Sequence, residues 1–548
     1  MGHWIKSGKP WIWLTGGAVS ISLISVFGLL LLIGWQGLTY FWPMPLSVWT
    51  NENGDKIVGQ VYQRTSVPIS RLQSEQQQLP QEILDDGSVQ RLSIKIANRE
   101  LYPLDFIAVL EPTLTAAEFP VDWAVLERSI DGDFFGKPIA YVTNYGRYTF
   151  DVKSHLKYGV DSARSLRLEL DRILNDEVRD IGWKLSQLRL NKQKLEFEGK
   201  LTAEYLNQYD ESKKALELLL ASAEEKLTQI RTKLDQEYVV IEDMSGAVHN
   251  LSLSHILDAW YPNDMTYVDK FFHWAKQVKR FVLENPREAN SEGGVFPAIF
   301  GTVFLVFMMS ILVTPLGVIA AVYLYEYAEN NALTRMIRVA VINLAGVPSI
   351  VYGVFGLGFF VYSIGGSIDE IFYADKLPTP TFGTPGILWS ALTLALLTLP
   401  VVIVSTEEGL GRIPTSVRNG SYALGATQFE TLWRIVLPMA SPAIITGLIL
   451  AIARAAGEVA PLMLVGVAKL APSLPVDSHY PYVHLERKFM HLGYHIYDVG
   501  FQTPNIEAAR PLVYATSFLL VVVVVGLNLT AINIRNNLRE KYRALGQD

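Results

Sequence analysis

The sequence predicts an α-helical membrane protein with six spanning segments and one large soluble insertion of mixed α and β structure. Three observations carry this expectation. Half of the 548 residues are hydrophobic and only 18% are charged, below the roughly 25% usual in soluble domains. The charge is uneven, because residues 43–292 hold 39 acidic and 30 basic side chains, more than half of the chain's total. Outside that stretch lie apolar runs of about 20 residues or more, long enough to cross the bilayer hydrocarbon.

The first run, Trp11 to Trp35, exceeds a signal-peptide core of about 7–15 residues, and no A-x-A cleavage pattern follows it. Lys6 and Lys9 precede it, so the positive-inside rule places the N-terminal end in the cytoplasm. Residues 1–42 are therefore read as an uncleaved anchor. The insertion then falls on the outer side, the periplasm of a bacterial cell.

Its first part, residues 43–160, reads as β-rich. KIVGQVYQR, RLSIKIANR, DFIAVLE and PIAYVTNY are short β-like runs punctuated by Gly, Pro and Asp. Residues 161–237 switch to a helical period. Leu216, Leu220, Ala223, Leu227, Ile230 and Leu234 form a heptad seam, and Leu170, Leu174, Val178, Ile181, Leu185 and Leu188 form a second. NQYDES (207–212) is taken as the turn of a coiled-coil hairpin with arms of about 40 residues, or about 60 Å. Residues 238–292, including the amphipathic VDKFFHWAKQVKRFVLENP, form a return segment.

Five more apolar runs follow, at about 296–325, 339–363, 386–405, 439–468 and 511–534, each sufficient to span. Residues 293–534 are thus a five-helix membrane domain and 535–548 a tail. Alternation puts both termini in the cytoplasm, together with the loops holding Arg335, Arg338, Arg412, Arg418 and Arg434. The location implied is a bacterial inner membrane.

Several function classes fall away. No cysteine is present, which excludes disulfides, thiolate metal sites and cysteine nucleophiles. The insertion is net acidic, so no basic surface for nucleic acid is evident. GDFFGKP (132–138) has the wrong spacing for a phosphate loop and ends in Pro, and no H-E-x-x-H or G-x-S-x-G occurs. His479, His484, His491 and His495 share an outer loop and are read as surface histidines, not as a metal site.

Chemistry concentrates in two places. In the cytoplasmic loop RNGSYALGATQFETLWRIVLPMASPAIITG (418–447), Gly425 is followed by nine residues and then Ile435-x-Leu437-Pro438. This spacing suits a helix, a glycine turn and a short second helix, with Pro438 in the first turn of the helix that follows. Phe429, Leu432, Trp433 and Val436 give that helix an apolar stripe for a partner's groove. In ILAIARAAGEVAPLML (449–464), Arg454 and Glu458 lie four residues apart in the fifth span. Each ionised group there costs roughly 2.5–3.5 kcal/mol or more, which calls for a function or a mutual ion pair.

The loop resembles the E-A-A-x(3)-G-x(9)-I-x-L-P loop of ABC importer permeases. GGVFPAIFGTVFLVFM (293–308), GVPSIVYGVFGL (346–357), YALGATQ (422–428) and LAIARAAGEVAPLM (450–463) are similar to the phosphate-specific, PstA-type permeases, over roughly residues 290–540. The resemblance implies a six-helix type I importer permease core and a transport subunit, not an enzyme. It implies inorganic phosphate as cargo, moved past Arg454 with Glu458 as counter-charge. It further implies a homologous second permease, a periplasmic phosphate-binding protein, membrane lipid, and a dimer of ATP-binding subunits engaged at residues 419–438. ATP and magnesium would be used by that partner, with no cofactor held by this chain. Two departures stand out. Asn419, Gly420 and Ser421 replace Glu-Ala-Ala, and Val404 and Ser405, not an arginine, precede Thr406 and Glu407. Other oxyanions, such as sulfate or molybdate, are the nearest alternative cargo. A signalling receptor with a periplasmic sensor is the alternative from another class.

Overall fold

The computed structural model describes residues 9–50, 54–68, 88–102, 104–287, 290–503 and 506–544. Lys6 and tail residues 545–548 lie outside the described residues. The chain divides into two units, residues 41–280 and residues 1–40 with 281–548. Helix α1 (Lys9–Thr39) belongs to the second, and over residues 11–29 it is exposed on every side, as a lipid-facing span is.

The insertion opens with an antiparallel sheet of β1 (Ser47–Thr50), β2 (Lys56–Pro68), β3 (Ser88–Lys95) and β4 (Phe106–Leu110), paired in chain order. Trp49, Leu92 and Ile94 meet on its inner face, the period-2 alternation of a half-buried sheet. A second sheet starts with β5 (Ala124–Arg128), β6 (Phe134–Thr143) and β7 (Gly146–Tyr148). Three helices intervene, α2 (Val152–Arg172), α3 (Arg179–Phe197) and α4 (Ala203–Gln236). The sheet is completed by β8 (Tyr238–Glu242), β9 (Val248–Ser252) and β10 (Ile256–Trp260). The spatial order is β10-β5-β6-β8-β9, with β7 also on β6.

The expected boundaries at 160 and 238 need correction. The β-rich part does not end at 160, because the supposed return segment opens with three more strands, between Tyr238 and Trp260, and only then turns into a helix. The helices carry the chain out and back, so β8 can pair with β6 despite its distance in sequence. Leu156, Val160, Leu227, Ile230 and Leu234 pack with Phe134, Tyr141 and Ile241 in one core.

Helices α2 and α3 form one arm, joined by a wide π-helical turn at Ile173–Val178, and α4 forms the other. Lys226 Nζ reaches Glu177 Oε2 across the arms at 2.9 Å, and Lys192 sits over the Tyr209 ring at 4.8 Å. Those two cross-links fix an antiparallel hairpin. Its turn falls at residues 198–202, not at NQYDES. Gly199, with φ +67°, ends the first arm, and Thr202 Oγ1 accepts the Tyr205 N–H as an N-cap. NQYDES holds neither Gly nor Pro and continues as helix with its polar side chains in water.

One buried polar contact organises the strand connections. Asn98, with φ +54° and 1% exposure, accepts the Phe135 N–H at Oδ1 (2.7 Å) and donates from Nδ2 to the Phe135 carbonyl (3.1 Å). Asn98→Ala is expected to destabilise the insertion by about 3 kcal/mol, because it orphans both groups in a dry site. Thermal unfolding of the purified protein checks this.

Chain continuity passes through α5 (Tyr267–Leu283) into the membrane unit. There follow α6 (Phe296–Tyr327), α7 (Ala332–Leu344), α8 (Ser349–Phe372), α9 (Ile387–Gly411), α10 (Thr415–Ala423), α11 (Gln428–Ala455), α12 (Ala460–Val465), α13 (Leu492–Tyr497) and α14 (Ile506–Ala544). Among the described residues six helices are long and apolar enough to cross a membrane, namely α1, α6, α8, α9, α11 and α14. Helix α9 is the hub. Its Ala391, Leu394, Leu397 and Val402 pack with Leu305, Met309 and Val313 of α6 and with Ala451, Ile452 and Ala455 of α11. Helix α1 lies along α14, where Gly37 lets the backbones touch; a Cβ there would sit 2.8 Å from the Ala515 Cα.

Candidate functional site

The fifth span is not the single run expected from 439 to 468. Helix α11 ends at Ala455, residues 456–459 are non-helical, and α12 restarts at Ala460. Gly457 weakens the helix and Pro461 suits the first turn of a new one, so the break lies between them. Arg454 is therefore not at a helix midpoint. It occupies the last turn of α11, where the negative end of the helix dipole favours a cation. Glu458 lies beyond the break, and its Oε1 stands 3.6 Å from Arg454 Nε. Both side chains are partly open, at 32% and 22% exposure, so neither charge is sealed in the core.

A second ion pair lies beside Thr406. Arg338, on α7, brings Nε within 3.5 Å of Glu407 Oε1 and donates from Nη2 to the Leu324 carbonyl at 2.9 Å. Sequence reasoning missed it because the two residues lie on different helices, far apart in the chain.

The cytoplasmic loop is built by turn chemistry. Gly425 has φ +85°, and the Ala426 N–H reaches back to the Ser421 carbonyl, closing α10 with a left-handed glycine cap. Thr427 and Glu430 then form a reciprocal capping box, Glu430 N–H to Thr427 Oγ1 at 3.3 Å and Thr427 N–H to Glu430 Oε2 at 3.0 Å. The sequence reading missed that start, and the T-x-x-E spacing is the signal that could have found it. Ser421 Oγ and Thr431 Oγ1, 2.8 Å apart, join the two helices from inside.

The short second helix expected after Gly425 is instead the start of α11, which runs unbroken into the membrane. Pro438 sits within that run, just after a wide π-helical turn at Leu432–Val436 that accommodates its missing N–H. The expected stripe also divides. Leu432 and Val436 are buried against Leu410, Ile413 and Ala440, whereas Phe429 and Trp433 point outward, stacked 6.3 Å apart. Ile435, Leu437 and Pro438 are half-buried, and Asn419 and Gly420 are exposed. Two adjacent helix faces carry these residues, and the loop can cover only one.

Arg418 holds the loop to the span before it. Its guanidinium reaches Glu326 Oε1 on α6 from Nη2 (2.8 Å) and Nε (3.2 Å), and donates to the carbonyls of Ile413 and Leu410. Both side chains are 11% exposed.

The histidines are buried, not on the surface as expected. His484 and Arg487 surround Asp477, with contacts of 3.0 and 2.6 Å, and the His479 N–H donates to the same carboxylate. His491 Nδ1 accepts the Gly493 N–H at 3.1 Å and caps α13. Burial pushes His491 and His495 down to about 4. Both stay neutral in the fold while the unfolded chain takes up protons below its usual value of about 6.5. Their contribution is complete above about pH 6.5 and is lost as pH falls toward 4, on the order of 3 kcal/mol each. Unfolding midpoints are expected to drop between pH 7.5 and pH 5, and to drop less in His491→Asn.

Residues 313–543 match the family described as binding-protein-dependent transport system inner membrane component. Phosphate transport system permease protein PstA 1 of Mycobacterium tuberculosis is 39% identical over 32% of this chain and 52% of its own length. A probable phosphate transport system permease protein PstA of Methanocaldococcus jannaschii is 33% identical, over 34% and 60%. Probable ABC transporter permease protein YqgI of Bacillus subtilis is 30% identical, over 46% of this chain and 81% of its own. The chain thus spans about half the length of the mycobacterial relative. A solved methionine ABC transporter, MetNI, in an inward-facing conformation is 18% identical over 44% of this chain and 94% of its own, with a TM-score of 0.33.

Proposed function

The chain belongs to the binding-protein-dependent ABC transporter permeases of the PstA type, and on that premise we propose that it moves inorganic phosphate inward through a bacterial inner membrane. The observation that carries this reading is the broken fifth span with Arg454 and Glu458 at its break. Helices interrupted within the membrane commonly bind polar cargo, because irregular backbone is tolerated there only where it is buried in protein or lines a cavity. A phosphate carries one to two charges and cannot cross hydrocarbon bare. A partly open arginine offers a contact, and a glutamate at 3.6 Å balances it once the anion leaves. The relatives named for phosphate transport support the choice of anion.

The energy would come from a separate pair of ATP-binding subunits, which use ATP and magnesium. Those subunits would grip the outward Phe429 and Trp433 beside Gly425. A second permease of like fold would complete the pore, and a phosphate-binding protein would deliver cargo on the periplasmic side, where the insertion also lies. Both termini are then cytoplasmic.

An arginine recognises charge more than identity, so sulfate is the competitor that matters. Phosphate uptake in a strain lacking this gene, restored by the full-length protein and measured with and without excess sulfate, is the deciding experiment. Restored uptake that resists sulfate supports phosphate. Uptake abolished by sulfate points to a different oxyanion, and no restoration overturns the transport role.

A further inference from the structure

Helix α5 is amphipathic in an inverted sense. A helix packed on a soluble sheet normally turns its apolar stripe inward. In α5 the polar face points in: Arg280 grips both oxygens of Glu127 (2.6 and 3.1 Å), Lys276 Nζ reaches Asp258 Oδ2 at 2.6 Å, and the His273 ring lies against Trp260. The opposite face carries Tyr267, Val268, Phe271 and Phe272, which are 85%, 63%, 53% and 68% exposed. Phe271 stacks on Trp274 at 5.6 Å, extending an aromatic surface.

We infer that this face of α5 lies in the outer lipid–water boundary as an interfacial membrane helix. Three features choose lipid as the occupant. The last turn of α5 is tied to the start of α6, with the Val295 N–H donating to the Phe281 carbonyl at 2.8 Å and Phe296 N–H to the Glu284 carbonyl at 3.2 Å. The C-terminal end of α5 is thereby held beside the point where the chain enters the bilayer. The exposed side chains are Tyr, Phe and Val, the types that settle at the headgroup–acyl boundary. Apart from Lys276 and Arg280, which are ion-paired on the inner face, the helix carries Lys270 and Lys279 against Asp269, a positive balance that suits anionic headgroups. A patch of this kind left in water would be an aggregation liability.

The absence of cysteine makes the test direct, since a single introduced thiol takes the label alone. Full-length Phe272→Cys and Val268→Cys would carry a nitroxide in vesicles of phosphatidylcholine with phosphatidylglycerol. Tyr145→Cys, at a 95% exposed position of the insertion, is the aqueous control. None of the three side chains is part of a core, so the fold is retained. Collisions with dissolved oxygen are expected to exceed those with a water-soluble nickel chelate at 268 and 272, and the reverse is expected at 145. Nickel dominance at 268 and 272 would place the face in water. Loss of both collision types would place it against protein. Either result overturns the inference.

Discussion

Arg454→Gln is expected to lower phosphate uptake by about 10- to 100-fold, the loss of one charge-assisted contact of about 1.5–3 kcal/mol. Glutamine keeps a hydrogen-bond donor on a shorter side chain but removes the charge. Assembly should survive, because Arg454 is partly open and its ion contact of 3.6 Å is not a tight bond. Uptake assays paired with co-purification of the ATP-binding subunits separate the two effects. Normal uptake in the variant would sink the pathway role and leave a structural ion pair. Glu458→Gln is the informative companion. If Glu458 only releases the anion, its loss should tighten binding and slow turnover, whereas a structural pair would lose stability in both variants.

Arg418→Ala is expected to destabilise the membrane unit by about 3 kcal/mol and to uncouple the cytoplasmic loop from α6. Removing one partner of a nearly buried pair leaves the other charge unpaired, which costs more than the pair itself contributes. Glu326 and the carbonyls of Leu410 and Ile413 would all lose their donor. Arg418→Lys should recover part of the stability, since an ammonium restores the charge but not the planar fork that serves three acceptors. Thermal unfolding in detergent and uptake in vesicles check both. Unchanged stability in Arg418→Ala would show that the pair is screened by solvent.

The sequence made the spans legible, because hydropathy over about 20 residues is a strong signal. Gly425 was equally readable, since few residues accept φ +85°. The break after Ala455 was not. Ala456, Gly457 and Val459 keep the run apolar, and only Gly457 with Pro461 hinted at it. The apolar character of Leu432 and Trp433 was plain, but which one faces inward depends on Leu410 and Ile413 from the preceding span. The same holds for Arg338 with Glu407 and Arg418 with Glu326, partners that only the fold brings together. The histidines misled for a related reason. A loop rich in Tyr and Pro looks exposed, yet this one folds over the ends of α6 and α9 and buries them.

The late completion of the second sheet bears on biogenesis. Tyr141 pairs with Val239 across the entire helical hairpin, so the sheet cannot close until the whole excursion has emerged. The hairpin is local and can form early, and once formed it returns the chain near its departure point. A folded excursion of this kind carries a smaller closure entropy than a flexible loop of equal length. Arm length is thereby decoupled from the stability of the sheet. Whole heptads can be gained or lost near Gly199 with no penalty to β6 and β8, leaving the reach of the insertion free to vary between lineages.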